Sequence, residues 1–162
     1  MMPQPTTNRF NQAAQKTHPG GGNPSHVQQG APFVKPTDQE LKAMLDGQNT
    51  KGMVDWAEKI AKKTIEDKFN PLTTSQIRNI YGTVKKLEMA GDHEDVLPKL
   101  ILLKPKLAYA VGRHNKVKGL EILRDVLGSA IDLVAEKKEP RFQNFCRFFE
   151  AILAYHKAEG GK

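Results

Sequence analysis

Residues 72–91 read LTTSQIRNIYGTVKKLEMAG, and this stretch predicts the character of the whole fold. Thr73 and Gln76 have the spacing of a capping box, in which each side chain accepts a hydrogen bond from the other residue's backbone amide at a helix start. Gly91 is typical of a helix end. Between them, apolar and aromatic side chains recur every three or four residues and predict one buried helix face: Ile77, Ile80, Tyr81, Val84 and Leu87.

A basic row runs beside this apolar face. Arg78, Gly82 and Lys85 follow one another at spacings of four and three residues. A glycine inside a helix costs about 1 kcal/mol relative to alanine, so Gly82 requires a reason. Two explanations stay open. Either another backbone approaches here (a neighbouring helix, a partner protein or a sugar–phosphate chain), or glycine relieves crowding beside Tyr81.

Helical periodicity continues through the rest of the chain, and no segment shows the strict alternation of a half-buried strand. The pattern predicts a single all-α bundle of about five to six helices. Pro105 is expected to break one segment into two short helices, with Leu107 and Tyr109 turned inward on the second. The predicted helical segments are residues 37–46, 53–69, 73–91, 94–103, 105–113, 116–136 and a last one that begins at Pro140 and ends before Gly160.

Residues 1–36 differ in composition from the remainder. They hold six of the ten prolines, a run of three glycines and no acidic residue. Such a segment buries too little apolar surface to offset the entropy of ordering it. We therefore predict a disordered basic tail over residues 1–36 and a helical domain over residues 37–162.

Composition narrows the class of protein. The chain of 162 residues has 25 Lys and Arg against 18 Asp and Glu, an excess that is compatible with a polyanionic partner. A single cysteine excludes an intramolecular disulfide, and no apolar run is long enough for a membrane helix or a signal peptide. A cytoplasmic protein without contact to membranes is expected.

No catalytic signature stands out. The sequence lacks the common metal-binding, phosphate-binding and nucleophile motifs, and no metal, cofactor or small-molecule substrate is predicted. His93, Glu94 and Asp95 are adjacent and point in different directions at a helix start, which favours capping over metal binding. Cys146 lies among phenylalanines and is interpreted as a buried, inert thiol, and His156 as a core residue or helix-end residue.

A second basic set lies around and after Pro105 and includes Lys104, Lys106, Arg113, His114, Lys116 and Lys118. Together with the amides at the start of the next helix, this set could hold phosphate groups. An ordinary solvated loop explains the same residues.

Three motifs, in this order along the chain, carry a resemblance to a known family: LTTSQIRNIYGTV, LKPKLAYAVGRH and FQNFCRFFEAILAYHKAEGG. Together they resemble the small subunit of type III-A CRISPR interference complexes, the Csm small-subunit family, over about residues 72–161. The resemblance implies a small, basic, all-helical, non-enzymatic protein of antiviral defence. It also implies several stacked copies beside the backbone and large subunits of a ribonucleoprotein that carries the guide RNA, and contacts mainly to the backbone of target RNA.

The matched motifs contain Arg78, Lys106 and Arg113. The other residues of the predicted RNA-binding surface are added on charge and spacing alone. The predicted RNA-binding residues are Arg78, Lys85, Lys104, Lys106, Arg113, Lys116 and Lys118. Sequence-independent binding is expected because base pairing with the guide carries specificity. One alternative is a pure protein–protein spacer of the same assembly whose cations meet acidic partners. An independent nuclease is a further reading, and it would require RNA cleavage by the purified chain.

Overall fold

The computed structural model describes residues 32–91 and 95–162. Within these ranges the chain is helical and contains no strand, which confirms the predicted all-α class. The described residues form seven helices, against the predicted five to six, when the two short helices on either side of Leu102 are counted separately. The helices are α1 (Asp38–Leu45), α2 (Thr50–Ile65), α3 (Thr74–Ala90), α4 (Val96–Ile101), α5 (Leu103–Arg113), α6 (Lys118–Glu136) and α7 (Arg141–Ala158).

Local capping explains where several helices begin. The predicted capping box between Thr73 and Gln76 is present, and a second one joins Thr37 and Glu40 at the start of α1. The Asp95 side chain accepts a hydrogen bond from the Leu97 amide at 3.2 Å and caps α4, as the capping interpretation expected. The other two residues of that cluster, His93 and Glu94, lie outside the described residues.

Two predicted boundaries of α2 were wrong. The helix begins at Thr50 because the Asn49 side chain accepts a hydrogen bond from the Gly52 amide at 2.8 Å. It ends at Ile65, well before Phe69, because the Asp67 carboxylate accepts hydrogen bonds from the amides of Phe69 and Asn70 and forms a local turn.

The predicted break at Pro105 was also misplaced. The chain breaks at Leu102, and Pro105 is the third residue of α5. Proline is tolerated in the first turn of a helix because the amides there have no partner within the helix.

The core is built around α6 and α7. Helix α6 packs against α1, α2, α4, α5 and α7 and therefore lies centrally, in agreement with its wide buried apolar surface. Helix α7 packs mainly against α2 and α3 and contributes the fully buried Phe145, Phe148 and Phe149. Close approach of α6 to the end of α2 requires Gly119, where an added Cβ atom would lie 2.5 Å from the Thr64 carbonyl oxygen.

The first described residues belong to this bundle. Phe33 packs against the core, Pro36 is buried, and the Lys35 ammonium donates to the Ser129 hydroxyl at 2.7 Å. Residues 33–162 thus form one compact unit. The predicted tail otherwise lies outside the described residues, and the division of the chain at residue 36 stays a prediction.

A buried charge holds three helix ends together. Arg141 at the start of α7 is 3% exposed, and its guanidinium contacts both carboxylate oxygens of Asp46 at 2.7 and 3.3 Å. It also donates to the Leu133 carbonyl oxygen at 2.7 Å and to the Glu136 carboxylate at 3.2 Å, near the end of α6. The Arg141 hydrogen bonds hold the pKa of Asp46 below its usual value.

A buried histidine fixes the other end of α7. His156 is fully buried, and its Nε2–H donates to the Leu72 carbonyl oxygen at 2.8 Å, just before α3. Its Nδ1 atom is buried without a hydrogen-bond partner among the described residues. Burial lowers the pKa of His156, because a proton on Nδ1 would place a charged donor in the core without an acceptor.

Among the described residues, no helix combines the length and apolar character that crossing a bilayer requires. In residues 32–91 and 95–162 there is also no group of three or more His, Cys, Asp or Glu side chains placed to bind a metal ion.

We predict that Asp46→Asn lowers the free energy of unfolding by about 3 kcal/mol, because it leaves the buried guanidinium of Arg141 without its main counter-charge. The matched control is Asp132→Asn, which removes the carboxylate of an exposed ion pair with Lys104 and should cost less than about 1 kcal/mol. Urea denaturation followed by circular dichroism measures both values. Equal losses for the two variants would contradict a special role for the buried contact.

We predict that stability falls as the pH drops below 6.5, the unfolded value for His156. The unfolded chain then binds a proton that the folded chain resists, at a cost of up to about 1.4 kcal/mol per pH unit down to the folded pKa. Urea midpoints between about pH 8 and about pH 5 measure this slope. Because Asp46 titrates below 3.8, its effect lies outside this range. His156→Gln, which retains a donor for Leu72, should abolish the slope, and a slope that persists in this variant would exclude His156 as its source.

Candidate nucleic-acid interface

An open groove of about 540 Å³ separates α3 from α5. It forms because α3 rests on α7 and α5 rests on α6, while the short helix α4 contacts all of α3, α5 and α6. Its lining combines buried apolar side chains with exposed polar and charged ones. The lining residues are Asn79, Ile80 and Thr83 from α3 and Leu103, Pro105, Lys106, Leu107, Tyr109, Ala110, Arg113 and His114 from α5 and its end.

Two of the predicted RNA-binding residues meet in this groove. Lys106 and Arg113 are seven residues apart, which is nearly two helical turns, so both project from the same face of α5. Both are exposed, and neither forms a hydrogen bond or an ion pair with a described residue. Their charges are therefore available to a partner.

Two other predicted residues lie outside the groove lining and are also unpaired. Arg78 is exposed on α3, directly before the groove residue Asn79. Lys116 is exposed in the loop between α5 and α6. Neither contacts a carboxylate in the described part of the chain. These two cations can extend a positive surface beyond the groove.

The remaining three predicted residues are ion-paired. Lys85 contacts Glu88 at 2.8 Å, Lys104 contacts Asp132 at 2.6 Å, and Lys118 contacts Glu121 at 3.4 Å. The hydrogen bond that the Lys85 ammonium donates to the Glu88 carboxylate raises the pKa of Lys85. A nearby carboxylate offsets the field of each lysine, so these positions add less to the attraction of an anion. Their contact with RNA stays a prediction.

The helix geometry of α5 explains this sorting of lysines. Residues two apart on a helix point about 200° away from each other. Lys104 therefore faces α6, where it pairs with Asp132, and Lys106 faces the groove. In the sequence, Lys104 and Lys106 are equivalent members of one basic cluster. Only the packing of α5 on α6 shows that one is neutralised and the other is not.

Sequence reasoning missed Tyr109. We expected both Leu107 and Tyr109 to turn inward, but Leu107 is 1% exposed and Tyr109 is 68% exposed. The same 200° rule shows that they cannot share the core face. Asn79 and Thr83 were also missed, although their spacing of four residues places them on one face of α3 and could have indicated the opposite wall.

Gly82 has no structural reason within the described chain. A Cβ atom added there would meet no atom within 4 Å outside its sequence neighbours and its own helix backbone. A neighbouring helix among residues 32–91 and 95–162 is thereby excluded as the reason for this glycine. Approach of a partner molecule and relief beside Tyr81 remain open.

The titratable groups interpreted as inert are buried in the core. Cys146 is 2% exposed, and burial raises the pKa of its thiol to about 12. At neutral pH it is therefore protonated and a poor nucleophile. His156 is enclosed and bonded to a carbonyl oxygen, as described above.

Comparison with known proteins now identifies the family. Residues 47–162 match the family described as Csm2 Type III-A. The chain belongs to this family. The match runs from just before α2 to the last residue, so it includes both walls of the groove and confirms the resemblance that the three motifs indicated.

Two curated relatives carry the name "CRISPR system Cms protein Csm2". The one from Enterococcus italicus is 35% identical over 97 residues, which are 55% of this chain and 69% of the relative. The one from Streptococcus thermophilus is 31% identical over 94 residues, which are 56% of this chain and 75% of the relative. No solved structure matches the chain.

We predict that Gly82→Ala in this Csm2-family chain raises the free energy of unfolding by about 0.5–1 kcal/mol, because alanine favours the helix and meets no obstacle. The matched control is Gly119→Ala, which should lower it by about 1–3 kcal/mol, because its Cβ would collide with Thr64 and Leu72. Urea denaturation of the free chain measures both changes. Destabilisation by Gly82→Ala would show that the glycine serves the chain's own fold.

Proposed function

We propose that this chain is a non-enzymatic small subunit of a type III-A CRISPR ribonucleoprotein and that it contacts target RNA with the groove between α3 and α5. Family membership supports the first part. The observation that supports the second part is the pair of exposed, unpaired cations, Lys106 and Arg113, on one face of the groove. Cations that are not neutralised within the fold release counterions from a phosphate backbone most effectively.

Residues around the groove extend the proposed contact. Arg78 and Lys116 provide further unpaired charge on either side. Lys85, Lys104 and Lys118 reach RNA only by sharing or exchanging their carboxylate partners, and we assign them peripheral contacts. Phosphate contacts of this kind carry no sequence information, which suits a subunit that must accept any target.

The absence of an enzymatic role is part of the proposal. The groove contains no carboxylate and no cysteine among its lining residues, and Cys146 and His156 are enclosed in the core. His114 is the one titratable imidazole at the groove, and no described carboxylate orients it. A lone exposed histidine lacks the positioned partner that general acid–base catalysis usually needs.

Neighbouring subunits need a surface of their own. Ile101 and Leu102 at the junction of α4 and α5 are 42% and 58% exposed, an unusual position for large apolar side chains in consecutive residues. We propose that this apolar pair contacts another copy of the chain or another subunit of the ribonucleoprotein. The same observation favours the alternative function, a spacer that binds only proteins, so an experiment must separate the two.

We predict that Arg113→Gln weakens binding of the full chain to RNA and reduces the slope of log affinity against log salt by about 0.7–0.9 per lost phosphate contact. Arg78→Gln should have a similar or smaller effect. Lys42→Gln is the matched control, because Lys42 is exposed on α1 and is no part of the groove. Fluorescence anisotropy with labelled RNA at several salt concentrations measures the slope.

Assembly is measured in parallel by reconstituting the ribonucleoprotein with each variant. The RNA-contacting function requires weaker RNA binding with assembly intact. Unchanged RNA binding combined with failed assembly would establish the spacer function instead, and cleavage of RNA by the purified chain would refute the non-enzymatic role.

A further inference from the structure

Tyr109 differs from the other two tyrosines of the chain. The Tyr81 ring packs edge-on against Phe149 with ring centroids 5.4 Å apart, and Tyr155 is partly buried against the core. The Tyr109 side chain is 68% exposed, and it forms no hydrogen bond with a described residue. Its ring therefore contributes little to the fold, although it lines the groove between α3 and α5.

The surroundings of this ring are cationic and polar. Lys106 and Arg113 stand three residues before it and four residues after it on α5, so one positive charge flanks the ring on each side. Asn79 and Thr83 on the opposite wall offer an amide and a hydroxyl group. The lining residues thus combine an aromatic face, two free cations and neutral hydrogen-bonding groups, without a carboxylate.

This combination matches the chemistry of a single nucleotide. An aromatic ring accepts the face of any base, a cation on each side of it can accept the adjoining phosphates, and neutral polar groups can bond to ribose hydroxyls or base edges. Inside a duplex both faces of a base are covered by its neighbours, so an unpaired, unstacked base is needed for stacking on a protein side chain. A groove of about 540 Å³ is in the range that small ligands of nucleotide size occupy.

We propose that the α3–α5 groove holds one unpaired nucleotide of RNA, with its base against the Tyr109 ring and its flanking phosphates at Lys106 and Arg113. This inference rests on the proposed function. The proposed function involves only contacts between cations and the RNA backbone, and the inference adds a contact with one base. The contact is insensitive to the identity of the base, because every base has a face that can stack.

The test compares two RNAs of equal length and equal charge. One is a short single-stranded RNA, and the other has abasic ribose at every internal position and keeps all its phosphates. We expect the full chain to bind the first RNA about tenfold more tightly, the usual effect of one stacked base. Tyr109→Ala should remove this difference, and Tyr109→Phe should retain it.

Two controls separate stacking from charge and from surface aromatics in general. Arg113→Gln should weaken binding of both RNAs by the same factor, because both retain phosphates. Phe69→Ala removes a side chain that is 93% exposed in the loop between α2 and α3, outside the groove, and should change neither affinity. Circular dichroism confirms that each variant folds, which is expected because both aromatic side chains are exposed.

The outcomes distinguish this inference from the proposed function. Equal, salt-dependent binding of both RNAs by the wild-type chain would overturn the nucleotide contact and leave RNA binding by charge in place. Absence of any salt-dependent RNA binding would overturn both. If Tyr109→Ala binds both RNAs like the wild type and instead prevents assembly with other subunits, the ring is a protein contact and the inference is wrong.

Discussion

Helix α7 is held at both ends by polar contacts, and the remainder of the bundle depends on this. Arg141 fixes its first residue to the ends of α1 and α6, and His156 fixes its last turn to the segment that leads into α3. Between these points, three fully buried phenylalanines occupy the core. The polar contacts set the register that apolar packing alone leaves loose, since aliphatic and aromatic surfaces can slide at small cost. Helix α3 takes its position from α7, and with it one wall of the groove.

The other wall depends on where charges are neutralised. Two acidic residues of α6 neutralise neighbouring lysines: Asp132 pairs with Lys104 on α5, and Glu121 pairs with Lys118 in the first turn of α6. This pairing removes two positive charges from the surface that a polyanion would meet. On the far face of α5, by contrast, Lys106 and Arg113 form no ion pair with a carboxylate of the described residues. The moderate net charge of the chain, +7, thus understates how positive the groove is.

Features that depend on neighbouring residues could be predicted from sequence, and features that depend on packing could not. Both capping boxes and the apolar stripes of α3, α6 and α7 follow from spacing alone. The α2 boundaries were missed because the Asn49 and Asp67 side chains accept hydrogen bonds from nearby backbone amides, and these bonds override the apolar pattern. Arg141 and Asp46 are 95 residues apart, and nothing local signals their contact. The exposure of Tyr109 was predictable in principle, because it follows from the angle between residues 107 and 109 on one helix.

The residues that stabilise this fold and the residues proposed to contact RNA are different. Arg141, Asp46 and His156 bond within the bundle and are enclosed, so changing them disturbs the fold. Arg113, Lys106 and Tyr109 make no hydrogen bond or ion pair within the described chain, so changing them costs the fold little. The Tyr109 ring is 68% exposed and adds little to the core, and neither cation gains stability from an ion pair within the described chain. Unpaired charge beside an unburied ring is the arrangement expected where a ligand completes the contacts that the protein leaves unmade.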